Sequence, residues 1–140
     1  MKEDLILKLL DRNKTFIDKD YKNKLDIISK KVNESKILVL GGAGSIGSAV
    51  VKLLCELNPK LIHVVDINEN ALAELVRNIR SSIGYIEGEF KTFSIDIGSE
   101  EFKALLNIQK QYDVWLNFSA LKHVRSEKAP FTLMRLVEVN

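Results

Sequence analysis

The spacing of apolar residues changes near residue 35 and predicts two kinds of structure. In the first 35 residues they recur at steps of three and four, the period of a helix with one apolar face. They are Leu5, Ile6, Leu9, Leu10, Tyr21, Leu25, Ile28 and Val32. This spacing predicts two short amphipathic helices joined near Asn13–Asp18. We therefore expect residues 1–35 to form a helical N-terminal arm.

From residue 36 onward, short apolar runs alternate with helical periods. The predicted strands are Ile37–Leu40, Leu61–Asp66, Phe90–Ile95 and Tyr112–Phe118. The predicted helices are Ser45–Leu57, one capped by Asn68 and ending near Ser82, one capped by Ser99 and ending near Lys110, and one starting at Pro130. Because a β-α-β-α order favours parallel strands covered on both faces, residues 36–140 are predicted to be an α/β domain. Its expected architecture is a doubly wound parallel sheet of the Rossmann type.

Glycines are concentrated where the first predicted strand should pass into the first helix. Four of the seven residues from Gly41 to Gly47 are glycine. Gly41 permits a tight turn, Gly44 leaves room for backbone N–H groups to approach a pyrophosphate, and Gly47 allows close packing of the helix on the sheet. The start of a helix also offers unpaired N–H donors to an anion. The pattern therefore predicts a dinucleotide-binding turn.

Asp66 supports this interpretation, because it ends the second predicted strand 19 residues after Gly47. An acid there can accept hydrogen bonds from an adenosine ribose and repels a 2′-phosphate, which favours NAD while NADP stays possible. The alternative is an aspartate that caps a turn or a helix. A P-loop is excluded because Ser48, not lysine, follows Gly47, and the wide glycine spacing disfavours an S-adenosylmethionine site.

Composition excludes several other classes of protein. With 46% hydrophobic and 29% charged residues, the chain is expected to be globular and soluble. A net charge of +2, with twelve basic and twelve acidic residues in 36–140, does not favour nucleic acid as a partner. The single Cys55 excludes an intrachain disulfide and a cysteine-based metal site, and fits a cytoplasmic location.

No apolar run reaches the ~18 residues of a membrane span. The arm is expected to pack on the body or on a partner subunit. A basic helix on a membrane surface is the alternative, which its interspersed acidic residues disfavour.

Two segments resemble known families. Residues 38–50, LVLGGAGSIGSAV, resemble the opening of the extended short-chain dehydrogenase/reductases. Residues 117–140 resemble the segment after the fourth strand in the UDP-N-acetylglucosamine 4,6-dehydratase group of polysaccharide-biosynthesis enzymes. That group carries an Ala-Leu-Lys-His-Val run, matched by residues 120–124, followed here by Glu127, Pro130 and Asn140. The likeness covers about residues 36–140.

The resemblance implies a set of binding residues; no metal site is assigned. The pyrophosphate would lie on Gly41, Gly44, Ser45, Ile46 and Gly47, the adenosine ribose on Asp66, and the adenine on Asp96 and Ile97. Lys122 would reach both the nicotinamide end and the sugar nucleotide, and Asn140 would support the active site. Without the resemblance, Lys122 would be interpreted as a solvated loop lysine. His123, His63 and Cys55 are interpreted as structural, with His63 only packed.

The chain also departs from that family. Leu40 replaces a threonine, and Asn117-Phe118-Ser119 replaces a His-Ala-Ala stretch. Phe118 takes the place of a small residue beside the cofactor, so its ring must turn aside or the cofactor must shift.

The Tyr-x-x-x-Lys pair on which the family's chemistry depends is absent from these 140 residues, so no catalytic residue is assigned. The chain is interpreted as the cofactor-binding part of a longer enzyme or as a truncated product, inactive alone. An unpaired edge strand would then favour homo-oligomers. The parent enzyme would oxidise a UDP-sugar at C4, eliminate water across C5–C6 and return the hydride to C6. A nucleotide-sugar 4-epimerase or reductase of the same superfamily and a non-catalytic dinucleotide-binding module are the alternatives.

Overall fold

The computed structural model describes residues 16–109, 111–120 and 130–139. The chain divides into two compact units, residues 1–31 and 32–140. Residues 16–31 of helix α1, Phe16–Asn33, are the described part of the first unit. Residues 16–18 are therefore helical, and the predicted joint at Asn13–Asp18 is wrong there. The other predicted helix of the arm lies outside the described residues.

The second unit alternates strands and helices. Its strands are β1 Lys36–Leu40, β2 Leu61–Asp66, β3 Glu89–Ser94 and β4 Val114–Asn117. Its helices are α2 Ser45–Glu56, α3 Glu69–Ser82, α4 Glu100–Gln109 and α5 Pro130–Val139. Every predicted element of this unit is present, and both predicted N-caps are confirmed. Asn68 accepts from the Ala71 N–H at 3.0 Å, and the Ser99 hydroxyl accepts from the Phe102 N–H at 3.3 Å.

The boundaries of three strands differ from the prediction by one or two residues, and β1 starts at Lys36 rather than Ile37. Strand β3 starts one residue early, because the Glu89 N–H already donates to the Lys60 carbonyl at 3.0 Å. Strand β4 is shorter than the predicted Tyr112–Phe118. It ends at Asn117, whose side-chain oxygen accepts from the Ser119 N–H at 2.9 Å and so closes a turn.

The four strands form one parallel sheet in the order β3-β2-β1-β4. In the central register, Ile37 of β1 lies opposite Ile62 of β2 and Val114 of β4. The chain returns from β3 to the far side of β1, so the strand order reverses beside β1. This arrangement confirms the doubly wound Rossmann-type fold. It also places the carboxyl ends of all four strands on one edge, where such sheets bind ligands.

Two apolar clusters pack on the two faces of the sheet. The first contains Ile37, Val39, Val51, Cys55, Ile62, Val64, Leu72, Leu75 and Ile79. The second contains Leu38, Leu40, Val65, Phe102 and Leu105. Alternate residues of β1 supply opposite clusters, because successive side chains of a strand point to opposite faces. Within the described ranges, no helix combines the length and apolarity needed to cross a membrane.

Candidate functional site

The predicted site residues follow the carboxyl ends of three neighbouring strands. The loop 41–44 joins β1 to α2, Asp66 ends β2, and Asp96 comes two residues after β3. Neighbouring strands lie about 4.8 Å apart, so these segments line a single edge of the sheet. Lys122 and Asn140, the residues assigned to the nicotinamide end, lie outside the described residues.

Gly41 has a backbone that disfavours any side chain. Its φ is +66°, in the left-handed region, and its N–H donates to the Val65 carbonyl at 2.8 Å. A Cβ atom at this position would lie 2.5 Å from the Ser119 nitrogen and 2.7 Å from the Phe118 carbonyl carbon. Gly41 thus also lets the chain leaving β4 pass against the loop. That contact was not foreseen, since it depends on where β4 pairs.

Gly44 and Gly47 face different constraints. Gly47 is buried, and a Cβ atom there would collide with the Gly41 carbonyl oxygen and lie 2.8 Å from the Gly42 Cα. Its close contact is therefore with the glycine loop, rather than with the sheet as expected. Gly44 is the exposed N-cap of α2, and its Cβ atom would meet only the Gly41 oxygen, at 3.4 Å. The fold itself thus tolerates a side chain at Gly44.

The first turn of α2 presents unpaired donors. The Ser48 N–H bonds to the Gly44 carbonyl at 2.8 Å, and no side chain caps the helix. The N–H groups of Ser45, Ile46 and Gly47 have no acceptor in the part of the chain that the structure describes. No acidic residue lies in this turn to neutralise the positive end of the helix dipole. The turn can therefore bind an anionic group such as a phosphate.

Both carboxylate oxygens of Asp66 accept backbone hydrogen bonds. Oδ2 accepts from the Ala43 N–H at 3.0 Å, and Oδ1 accepts from the Asn68 N–H at 3.0 Å. The bond from Asn68 closes a local turn, as expected from the alternative interpretation of Asp66 as a turn-capping aspartate. The bond from Ala43 crosses to the glycine loop, 23 residues away in sequence.

The predicted adenine-contacting pair lies farther along the same edge. Asp96 is exposed, and its Oδ1 accepts from the Gly98 N–H at 2.8 Å in a turn that leads to α4. Ile97 beside it is partly exposed and leaves an apolar surface next to that turn. The pair lies after β3, with β2 between it and the strand that leads into the glycine loop.

Phe118 stands where the family it resembles has a small residue. Its ring packs against the first core cluster. Its N–H donates to the Leu40 carbonyl at 2.8 Å, which extends the pairing of β4 with β1. The Phe118 ring is thus partly buried against that cluster, and its placement relative to a cofactor stays a prediction.

A hydrogen-bonded cluster around His63 was missed, and the prediction that His63 is only packed is wrong. His63 is fully buried, with Nδ1 2.8 Å from the Tyr112 hydroxyl and Nε2 2.8 Å from Glu89 Oε1. Burial lowers the pKa of His63, although the bond to Glu89 opposes this. Its position inside an apolar strand was the available signal, because buried polar groups need partners.

Comparison with known proteins identifies the relatives of the chain. The model of the family described as polysaccharide biosynthesis protein matches residues 37–138. An uncharacterized membrane protein of Methanocaldococcus jannaschii is 39% identical over 97 residues, which is 69% of this chain and 27% of that protein.

Solved structures share the fold. The UDP-Glc/GlcNAc 4-epimerase of Campylobacter jejuni is 27% identical with a TM-score of 0.57, over 73% of this chain and 30% of that one. The Bordetella bronchiseptica enzyme WbmF, solved with NADH, is 24% identical with a TM-score of 0.52, over 77% of this chain and 32% of that one. The chain thus spans less than a third of the length of each of these relatives.

Proposed function

The chain belongs to the polysaccharide biosynthesis protein family, and on that premise we propose that residues 36–140 bind a nicotinamide dinucleotide within an enzyme that modifies nucleotide sugars. The observation that carries the proposal is the first turn of α2. Three N–H groups, from Ser45 to Gly47, have no acceptor among the described residues, and the open Gly44 precedes them. Such a turn suits a pyrophosphate. The likeness to a C. jejuni enzyme named for UDP-sugars supports the substrate class.

In this proposal each part of the edge binds one part of the dinucleotide. The glycine loop and the first turn of α2 take the pyrophosphate, Asp66 the adenosine ribose, and Asp96 with Ile97 the adenine. Lys122 and Asn140 serve the nicotinamide end, and Lys122 also contacts the UDP-sugar. When bound, the nicotinamide supplies reversible hydride transfer at the sugar.

We further propose a preference for NAD over NADP. The Asp66 carboxylate is held by two backbone N–H groups, at 3.0 Å each. It therefore cannot turn away without leaving both donors unpaired, which opposes the movement. A 2′-phosphate on the ribose would meet a fixed negative charge.

The reaction proposed for the full-length protein is the 4,6-dehydration of UDP-N-acetylglucosamine, supported by the resemblance of residues 117–140 to that group of enzymes. A 4-epimerase is the second candidate, favoured by the likeness to the C. jejuni epimerase. The two reactions share oxidation at C4 and differ in whether water is then eliminated. Product analysis with UDP-N-acetylglucosamine distinguishes them: a 4-keto-6-deoxy sugar supports the first and a C4 epimer the second.

Calorimetric titration of the chain with NAD⁺, NADP⁺ and UDP-N-acetylglucosamine tests the cofactor site. We expect NAD⁺ to bind at least tenfold more tightly than NADP⁺. Gly44→Val should abolish NAD⁺ binding without unfolding the protein, because only one loop oxygen lies near the added Cβ atom. The matched control is Ala49→Val, at an exposed position on α2. A folded wild-type chain that binds neither dinucleotide would contradict the proposal.

A further inference from the structure

In the glycine loop 41–44, the Ala43 N–H donates to a side chain, whereas the other three N–H groups donate to backbone oxygens. The Gly41 and Gly42 N–H groups bond to the Val65 carbonyl, at 2.8 and 3.4 Å, and the Gly44 N–H bonds to the Gly41 carbonyl at 3.3 Å. Those acceptors are backbone oxygens. The acceptor of Ala43 is Asp66 Oδ2, at 3.0 Å, in a half-buried position.

The other oxygen of the same carboxylate fixes its orientation. Asp66 Oδ1 accepts from the Asn68 N–H at 3.0 Å, and the Asn68 side chain in turn caps α3 through the Ala71 N–H. The acceptor that Ala43 meets is thus joined to the start of the next helix. Ala43 immediately precedes Gly44, the N-cap of α2, so this bond fixes the point from which the first turn of α2 begins.

We propose that Asp66 is a positioning residue for the anion-binding loop, in addition to its role toward the ribose; this rests on the proposed dinucleotide site. By holding Ala43, Asp66 keeps the N–H groups of Ser45, Ile46 and Gly47 directed at one anion. Ala43 itself, whose N–H is occupied, gives no bond to the ligand. Removal of the carboxylate leaves a half-buried N–H unpaired and releases the loop.

The two effects of Asp66 on an anion have opposite signs, which makes the proposal testable. As a negative charge close to the loop, Asp66 repels a phosphate, so its neutralisation should strengthen the binding of an anion that has no ribose. As a positioning residue it favours the same anion, so its removal should weaken that binding. Inorganic pyrophosphate separates the alternatives because it cannot contact Asp66 through a ribose.

The first experiment measures pyrophosphate binding to wild type, Asp66→Asn and Asp66→Ala. Asparagine keeps the shape of the side chain but has a single oxygen for the two N–H donors. We expect binding to weaken about threefold or more in Asp66→Asn and about tenfold in Asp66→Ala. The matched control is Asp113→Asn, since the exposed Asp113 carboxylate accepts the Lys36 N–H at 2.8 Å at the opposite edge of the sheet. Unchanged or tighter binding in the Asp66 variants overturns the proposal.

The second experiment needs no ligand and so separates this proposal from the dinucleotide site. Amide hydrogen exchange followed by NMR should be at least tenfold faster at Ala43 in Asp66→Ala, with Val39 and Val64 unchanged as reporters of the sheet. Asp113→Asn should leave Ala43 unchanged. Equal exchange at Ala43 in wild type and Asp66→Ala overturns the positioning role, whatever binds. Failure of wild type to bind pyrophosphate and NAD⁺, with faster exchange in the variant, overturns the proposed function alone.

Discussion

At the scale of single residues, two glycines of one motif are needed for different reasons. Gly47 is buried against the Gly41 oxygen and the Gly42 Cα, backbone atoms that have little freedom to move. Gly44 is exposed, and a side chain there meets only ordinary van der Waals contact. Gly47 therefore serves the fold, whereas Gly44 would serve the ligand of the proposed site. Their spacing in the sequence gives no distances, so it could not separate the two roles.

Gly47→Ala is expected to lower the free energy of unfolding by about 1–3 kcal/mol, the usual cost of forcing a methyl group into a packed site. Gly44→Ser should change it by less than about 1 kcal/mol, since serine is a favoured N-cap and the backbone of Gly44 is already extended. Urea unfolding of both variants measures the difference. Equal destabilisation by the two substitutions would contradict the assignment of their roles.

At the scale of elements, the His63 cluster joins β2 to β3 and to the segment that leads into β4. Glu89 is the first residue of β3, and Tyr112 lies two residues before β4. His63 also packs edge-on against Phe93, with the ring centroids 5.0 Å apart. The partners are 26 and 49 residues from His63 in sequence, so strand register decides whether they meet.

This cluster predicts a loss of stability in acid. Burial lowers the pKa of His63 in the folded state below its ordinary 6.5, so between these two pKa values the unfolded chain binds more protons. The free energy of unfolding should therefore fall as the pH drops below about 6.5, by up to about 1.4 kcal/mol per pH unit. The pKa of Glu89 is also lowered, first by its bond to Lys91 and then by its bond to His63, which extends the loss below pH 4.5.

Urea unfolding measured from pH 7.5 to 5 checks this pH dependence. His63→Gln should flatten the slope below pH 6.5. His123→Gln, at the other histidine of the chain, is the control and should leave the slope as in wild type. An equal slope in wild type and His63→Gln would contradict the expectation.

At the scale of the whole molecule, the single thiol reports on opening of the core. Cys55 is buried in the first core cluster, and burial, with a smaller contribution from Glu56, raises its pKa to about 11. Both features suppress reaction with thiol reagents, because the thiolate is the reactive form. Labelling of the folded chain should therefore proceed through opening of the core.

If the proposed cofactor site is correct, NAD⁺ at a hundred times its dissociation constant should slow labelling of Cys55 about a hundredfold, provided that labelling follows global opening. Labelling in urea, where the chain is unfolded, should not respond to NAD⁺ and serves as the control. A labelling rate of the folded chain that is independent of NAD⁺ would count against the site.

How much the sequence could predict depended on how local each feature is. The strands of the sheet and the caps Asn68 and Ser99 depend on local periodicity and turn chemistry, and they were predicted. The early end of β4 depends on one side-chain bond from Asn117, and the approach of Ser119 to Gly41 depends on strand order. Neither feature follows from the spacing of apolar residues along the sequence. The roles of Lys122 and Asn140 stay predictions.

The reversal of strand order beside β1 has a consequence for how the site forms during folding. Lys36 and Asp113, which bond to each other at the start of β1 and β4, are 77 residues apart, whereas β1, β2 and β3 follow one another at short separations. Loop-closure entropy therefore favours late docking of β4. Because the chain leaving β4 packs against Gly41, we expect an intermediate with three paired strands and an incomplete glycine loop. Competence to bind a ligand would then arise in the last folding step, together with the docking of β4.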